Sequence, residues 1–321
     1  MKKKVLIFFM NKKKILTIQG DRLNSIIQDT DTSLLLAIEA QKRGYKIYYY
    51  ETKDLSFING KVIANIKELR LFENNKKFYQ IVKSKSFDLS KADYILMRQN
   101  PPFNINYINA TFFLEYLPKS VKVINNPFSV RNISEKFYSI NFLKYMPPTI
   151  FTKNVHEIKK FLKKYKKIVI KPIHGYGGKN ILFVKESINR NTILKYINKF
   201  DHVMVQKFIP NVVKGDKRVF IINGMVKGAI RRVPKKGSYL SNLSQGGLAV
   251  KTKLNKRELK ISKIVAKNLK NKKIFLAGID LVSNYLIGDI NVTSPTGLKN
   301  FKDLSGINLA IDFWDNLEKL K

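Results

Sequence analysis

The chain is predicted to be an N-terminal α/β unit with a parallel sheet, followed by a mixed α+β unit. Three observations carry this. "KVLIFFM", "YKIYYY" and "ADYILM" are apolar or aromatic runs of strand length. "DTSLLLAIEAQKRG" between the first two has helical spacing of Leu34, Leu35 and Ile38, a cap at Thr32 or Ser33 and Gly44 as a stop. In the second half, "RVFIINGMVKGAI" sets Asn223-Gly224 between alternating runs, the strongest short-range signal of a type I′ hairpin.

In chain order, Val5–Met10 reads as the first buried strand and residues 11–29, which show no period, as a long loop. After "YKIYYY", the strand "ADYILM" runs into "RQNPPF", so Arg98 stands where a parallel strand ends. "VKVIN" and "NPFSVRNISEKFYSINFL" repeat the order strand then helix, with Lys136 on the helix. "MPPTIF" is an extended connection, because each proline disfavours helix in the residue before it. Then follow a helix ("HEIKKFLKKY"), a strand ("KIVIKP"), a glycine loop, a strand ("ILFV"), a helix near 191–199, the strand "VMVQKF", the hairpin, an amphipathic helix ("NKRELKISKIVAKNLK") and two strands in "FLAGIDLVSNYLIGDINV".

Composition bounds the function. The 321 residues are 44% hydrophobic, a globular value. No run reaches the roughly 18 apolar residues of a membrane span, and the N-terminal apolar stretch is too short for a signal peptide. A cytoplasmic protein without membrane attachment is expected. The chain has no cysteine, which excludes disulfides, thiolate metal sites and a cysteine nucleophile. Lys and Arg number 61 against 23 Asp and Glu, a formal charge of +38. The lysines are spread along the whole chain among Ile and Asn, and "KKFLKKYKK" keeps apolar residues at helical spacing, so a solvated face accounts for them better than a specific nucleic-acid site.

Four groups of residues carry chemistry. "VIKPIHGYGGKN" puts Lys171 at a strand end before Gly175, Tyr176, Gly177 and Gly178; it suits a flap that covers phosphates, or an ordinary glycine hairpin. Arg218 and Arg232 fall on facing or neighbouring strands, as bidentate recognition of carboxylate or phosphate requires. "YLSNLSQGGLAV" is long enough to be a lid. Asp280, Asp289 and Asn291 lie on two late strands, the latter pair two residues apart on one face. Oxygen donors alone suit Mg²⁺, although the acids could equally pair with lysines. The three histidines form no metal triad, and no nucleophile elbow is present.

Taken together, "MRQNPPF", "NISEKF", "VIKPIHGYGG", "GDKRVFIINGMV", "RRVP", "SNLSQGG" and "DINVTSPTG" resemble the bacterial glutathione synthetases of the ATP-grasp superfamily, over nearly the whole chain. The resemblance implies an N-terminal substrate domain at 1–124 and a two-lobed ATP-grasp domain at 125–321, with a lid lobe at about 147–206 and a catalytic lobe at about 207–321. It implies ATP-dependent ligation of γ-glutamylcysteine and glycine through an acyl phosphate, in a homotetramer, with Mg²⁺ or alternatively Mn²⁺. A ligase of the same superfamily acting on another peptide or protein carboxylate is the second reading.

Carried onto this chain, Lys136 and Lys171 hold the phosphates, Gly175 to Gly178 form the flap, and Gln206, Lys207, Phe208 and Ile209 line the adenine pocket, with Asp216 beside the nucleotide. Arg98, Arg218 and Arg232 clamp the peptide, with Arg218, Arg232 and Lys171 catalytic. Asn242, Gly246 and Gly247 belong to the closing loop over the substrate. Asp280, Asp289 and Asn291 hold the metal. Compared with the family pattern, Asp289 is one methylene shorter than the usual Glu, His174 stands for Asp before the flap, Asn100 stands for Asp before the double proline, and the closing loop is poorer in Ala and Gly.

Overall fold

The computed structural model describes residues 13–73 and 77–320 and comprises three sheets with flanking helices. The expected strand at Val5–Met10 lies outside the described residues. The first described strand is β1 (Ile15–Gly20), followed by α1 (Thr32–Lys42), β2 (Lys46–Glu51), β3 (Leu55–Ile58), β4 (Lys61–Leu71), β5 (Tyr79–Asp88), β6 (Tyr94–Met97), α2 (Ile105–Glu115), β7 (Lys122–Ile124) and α3 (Pro127–Asn132). β1 corrects the expectation of a long loop from 11 to 29. Its residues are buried on both faces, so they show none of the alternation that marks a half-exposed strand.

β1 pairs in parallel with β2 and β6, and β6 with β7, so a parallel core is present. The chain adds to it an antiparallel excursion, β3 to β5, that the sequence reading left unassigned. The helix cap also differs: Asp31, not Thr32 or Ser33, accepts from the Leu34 N–H at 2.7 Å. The two hydroxyls are committed elsewhere. Thr32 accepts from Leu298 N–H and Ser33 from Arg98 Nε.

The second sheet holds β8 (Thr149–Thr152), β9 (Lys167–Pro172), β10 (Leu182–Lys185) and β11 (Val203–Lys207) in the antiparallel order β10-β9-β11-β8, backed by α4 (Val155–Tyr165) and α5 (Arg190–Phe200). "MPPTIF" is therefore an edge strand rather than a connection, a place that tolerates the prolines before it. The third sheet holds β12 (Asp216–Ile222), β13 (Met225–Val233), β14 (Leu248–Lys251), β15 (Leu276–Val282) and β16 (Tyr285–Asn291), with α6 (Lys256–Asn271), α7 (Leu298–Ser305) and α8 (Leu309–Glu318). The β12–β13 turn has positive φ at both Asn223 and Gly224, as a type I′ turn requires.

The first and third sheets are joined by buried polar and aromatic contacts. Trp314 on α8 is fully buried, donates to Leu36 O on α1 at 2.8 Å, and packs edge-on against Tyr45 and Tyr94. At the end of β7, the Asn125 carboxamide donates to Leu276 O at 2.7 Å and Val292 O at 2.6 Å, and accepts from the N–H groups of Phe275 and Leu276. Every hydrogen-bonding valence of that side chain is thus spent between two sheets. Replacing it with alanine leaves buried backbone groups unpaired, each worth about 1–3 kcal/mol. Asn125→Ala is therefore expected to lower unfolding free energy by roughly 3 kcal/mol or more, read as a lower urea midpoint; an unchanged midpoint contradicts the joining role.

Candidate active site

A cavity of about 710 Å³ lies where the three sheets face one another. Its walls bring together Lys136, Lys171, the Gly175 to Gly178 loop, Gln206 to Ile209, Asp216, Arg218, Arg232, Asn242, Asp280, Asp289 and Asn291. These residues come from separate segments spread between positions 136 and 291. Three expected site residues, Arg98, Gly246 and Gly247, do not line it.

Lys136 lies just before a 3₁₀ segment (Phe137–Tyr145) rather than inside an α-helix, and it is buried rather than solvated. Its Nζ donates to Gly175 O at 2.5 Å and stands 3.2 Å from Asp289 Oδ1. Lys171, at the end of β9, donates to Ile287 O at 2.9 Å and lies 3.7 Å from Asp289 Oδ2. Two ammonium groups, one from the 3₁₀ segment's start and one from the second sheet, thus converge on one carboxylate. Burial would lower the Lys136 pKa, but Asp289 and Glu135 hold it above its ordinary value. Burial prevails at Lys171, which also faces Lys136, and its pKa falls. Burial works to raise Asp289, yet the two lysines keep it below the usual carboxylate range.

The arginines form a second cluster. Arg218 and Asp280 are paired opposite each other in the β12–β15 register, and Asp216 and Arg232 in the β12–β13 register. Arg218 binds Asp280 with two hydrogen bonds, of 2.5 and 3.0 Å. Arg232 binds Asp216 with two of 2.7 Å and reaches Asp280 Oδ2 at 2.7 Å. Ser241 Oγ donates to Asp216 Oδ2 at 2.7 Å and so ties the 234–247 loop to β12. All four charged groups are nine-tenths buried or more, which is sustainable only because each has a charged partner.

Gln206 is buried, its amide donating to Thr149 Oγ1 at 2.9 Å. The N–H groups of Lys207 and Phe208 are committed to Pro148 O and Lys167 O within the second sheet. Arg98 is buried beneath the cavity wall, donating through Nε to Ser33 and through Nη2 to Pro295 O, while its Nη1 has no partner. Gly246 ends a short 3₁₀ turn and Gly247 N–H closes on Asn242 O at 3.1 Å. Both glycines therefore shape the loop instead of facing the cavity.

Asp289 and Asn291 share the cavity face of β16, whose residues alternate between half-buried and buried, and Asp280 stands on the adjacent β15. No group of three acidic or histidine side chains that could hold a metal exists among the described residues. The donor chemistry nevertheless fits Mg²⁺, which takes oxygen ligands, needs only one or two carboxylates and completes its shell with water and phosphate.

The cavity also holds residues the sequence reading missed. Glu135 lines it, and its carboxyl is pushed up by burial and by Asp289. Asp31 and Asn100 form the wall supplied by the first sheet's loops. Phe183 and Tyr239 supply aromatic surface. Glu135 stands beside Lys136 in "NISEKF", but adjacency to a lysine is not a signal of a cavity. Phe183 read simply as strand filling.

A second sheet that bears a glycine flap, set over a cationic cavity floored by an acid-bearing antiparallel sheet, defines an ATP-grasp ligase. Solved structures of that class share the arrangement: D-cycloserine synthetase DcsG aligns with a TM-score of 0.66 at 15% identity over 96% of this chain and all of that one. D-alanyl-alanine synthetase A from Vibrio cholerae aligns with a TM-score of 0.60 at 14% identity, covering 96% of this chain and 97% of that one. These likenesses show the fold alone. The sequence comparisons go further. The N-terminal domain model of prokaryotic glutathione synthetase matches residues 15–131, and its ATP-grasp domain model matches 135–306. Glutathione synthetases of Buchnera aphidicola and Mesorhizobium japonicum are 40% and 36% identical over 93% and 94% of this chain, covering 94% and 97% of those proteins. The chain belongs to the prokaryotic glutathione synthetase family.

The arginine cluster carries a pH signature. Burial opposes ionisation of Asp280, but Arg218 and Arg232 outweigh it and hold the carboxyl far below its ordinary value. A depressed folded-state pKa means the stabilisation is complete above the unfolded value of about 4 and is lost as pH falls through the folded one. Asp280→Asn is therefore expected to cost about 3–5 kcal/mol near neutrality, with the gap to the parent protein narrowing only below about pH 4. Urea midpoints measured across pH check this; a gap independent of acid contradicts it.

Proposed function

We propose that this cavity joins γ-glutamylcysteine to glycine, with ATP cleaved to ADP and phosphate through an acyl phosphate, to give glutathione. The observation that carries the reading is the convergence of four buried cations, Lys136, Lys171, Arg218 and Arg232, on one cavity beside a glycine flap. In this reading residues 1–124 form the substrate domain and 125–321 the ATP-grasp domain, with 147–206 as the lid lobe and 207–321 as the catalytic lobe.

A carboxylate is a poor electrophile, and the chemistry begins by correcting that. A carboxylate oxygen of the cysteinyl end attacks the γ-phosphorus of ATP, the bond to the bridging oxygen breaks, and ADP leaves. The neutral glycine amine then attacks the acyl carbon, the amide C–N bond forms, the C–O bond to phosphate breaks, and one amine proton leaves with the phosphate. No side chain acts as a nucleophile. What the chain supplies is positioning and fixed positive charge.

Lys136 and Lys171 lie where phosphate oxygens would replace Asp289 as their partner, and the Gly175 to Gly178 loop covers them. Tyr176 lies in that loop. Gln206 to Ile209 line the adenine pocket, with Asp216 nearby. Asp280, Asp289 and Asn291 would hold Mg²⁺, which would supply positive charge to the transferring phosphoryl group; Mn²⁺ suits the same donors. Arg218 and Arg232 face the transferring group and the peptide carboxylates, and Arg98 acts on the peptide's far end from behind the wall, through the Ser33 and Pro295 groups it holds. Asn242 and the Gly246-Gly247 pair close the loop over substrate. A homotetramer and a cytoplasmic location complete the reading; no helix among the described residues is long and apolar enough to cross a membrane.

Asp289→Ala is expected to cut phosphate release in the presence of ATP, Mg²⁺, γ-glutamylcysteine and glycine by about 10²–10³ or more, the scale of losing one electrostatic contact to transferring charge. Calorimetric titration with γ-glutamylcysteine should still show binding. Near-normal turnover in this variant would remove Asp289 from the reaction.

A further inference from the structure

The 234–247 loop leaves the third sheet at the end of β13 and returns in β14, yet its aromatic contacts are with the second sheet. Tyr239 packs on Phe183 of β10 with ring centroids 4.8 Å apart and on Phe208, just past β11, at 5.3 Å. Phe183 and Phe208 complete the triangle at 6.1 Å, nearly perpendicular. All three rings line the cavity. The flap makes a second junction with the loop: a Cβ at Gly178, where φ is +75°, would lie 2.7 Å from Asn242 Oδ1 and 3.3 Å from Leu240 Cδ2. Meanwhile Ser241 binds Asp216 on β12. The loop thus spans the cavity, fastened to the catalytic lobe by a hydroxyl and to the lid lobe by a ring.

The two fastenings differ in strength. Ser241 and Asp216 are buried, whereas Tyr239 and Phe183 are 41% and 37% exposed. Half-exposed aromatic contacts separate and re-form readily. Neither Phe183 nor Phe208 adds a polar bond to the contact, so the rings hold by area and by edge-to-face attraction.

We propose that Tyr239 is a positioning residue whose ring latches the closing loop to the lid lobe, so that flap and loop shut as one body and keep water from the acyl phosphate. The inference rests on the acyl-phosphate reading above. When the latch opens early, water attacks the acyl carbon, the C–O bond to phosphate breaks, and the free carboxylate, phosphate and a proton are released. ATP is consumed and no amide forms. The diagnostic quantity is therefore phosphate released per glutathione made, which a general loss of stability does not change.

The Tyr239–Phe183 contact, the one that crosses to the lid lobe, biases the closed state by about two- to tenfold. In the full-length protein with ATP, Mg²⁺, γ-glutamylcysteine and glycine, the parent is expected to release about one phosphate per glutathione, and Tyr239→Ala about two or more. Tyr239→Phe, which keeps the ring, should restore a ratio near one. Phe183→Leu, which removes the same contact from the lid side, should uncouple as Tyr239→Ala does and guards against a variant that fails to fold. Combining the two should add little, since both break one contact. A ratio that stays at one in both Tyr239→Ala and Phe183→Leu overturns the latch and leaves the reaction untouched. A parent protein that releases no phosphate with its full substrate set overturns the underlying reading instead.

Discussion

Burial of charge is the constraint on which this structure turns. A chain with so large a cationic excess places several of its few carboxylates, Asp216, Asp280 and Asp289, inside one cavity and surrounds each with cations. An isolated buried charge would be neutralised or expelled. Paired, these groups remain ionised and fixed in direction, which is the condition for acting on a polyphosphate without reorganising. The strand registers enforce the arrangement. Because Arg218 stands opposite Asp280 and Arg232 opposite Asp216, the backbone ladder itself sets which charge meets which.

The sequence disclosed the parts whose signals are local. Asn223-Gly224 specified its hairpin, the Asp289 and Asn291 spacing specified a shared face, and the strand ends at Lys171 and Arg98 were visible from their apolar runs. β1 was hidden because a strand buried on both faces has no alternation, and a longer apolar run nearby competed for the role. β5 escaped for the opposite reason: it is mostly exposed and rich in polar residues, so it lacks the apolar content that announces a strand, whereas β4 does alternate, with Val62, Ala64 and Ile66 buried, and was legible though left unassigned. Lys136 shows a third kind of limit. Its burial depends on Asp289, more than a hundred positions away, and no window of sequence contains that partner.

Some of the cavity residues that went unread share this long-range character. Glu135 and Phe183 acquire their place in the cavity from contacts between separate elements, whereas Asp31 is a cap within one turn and the motifs that were read sit within single turns or strands. Motif resemblance supplied the family, and the fold placed most of the expected site residues on one cavity. It set Arg98 behind the wall and Gly246 and Gly247 within the loop's own turn. The distinction is between residues that face the ligand and residues that shape the segment facing it.

Asn125 and Trp314 tie the first sheet to the third with saturated hydrogen bonds and close ring packing, while the second sheet meets the third through Met204, buried in one core cluster with Leu281 and Ile290, and through the Lys171 bond to Ile287 O. The first and third sheets thus form one body, against which the second sheet encloses the cavity. The second sheet carries the glycine loop and its share of the cavity wall. Exchange of the N-terminal segment between relatives would have to carry the Asn125 and Trp314 seams with it.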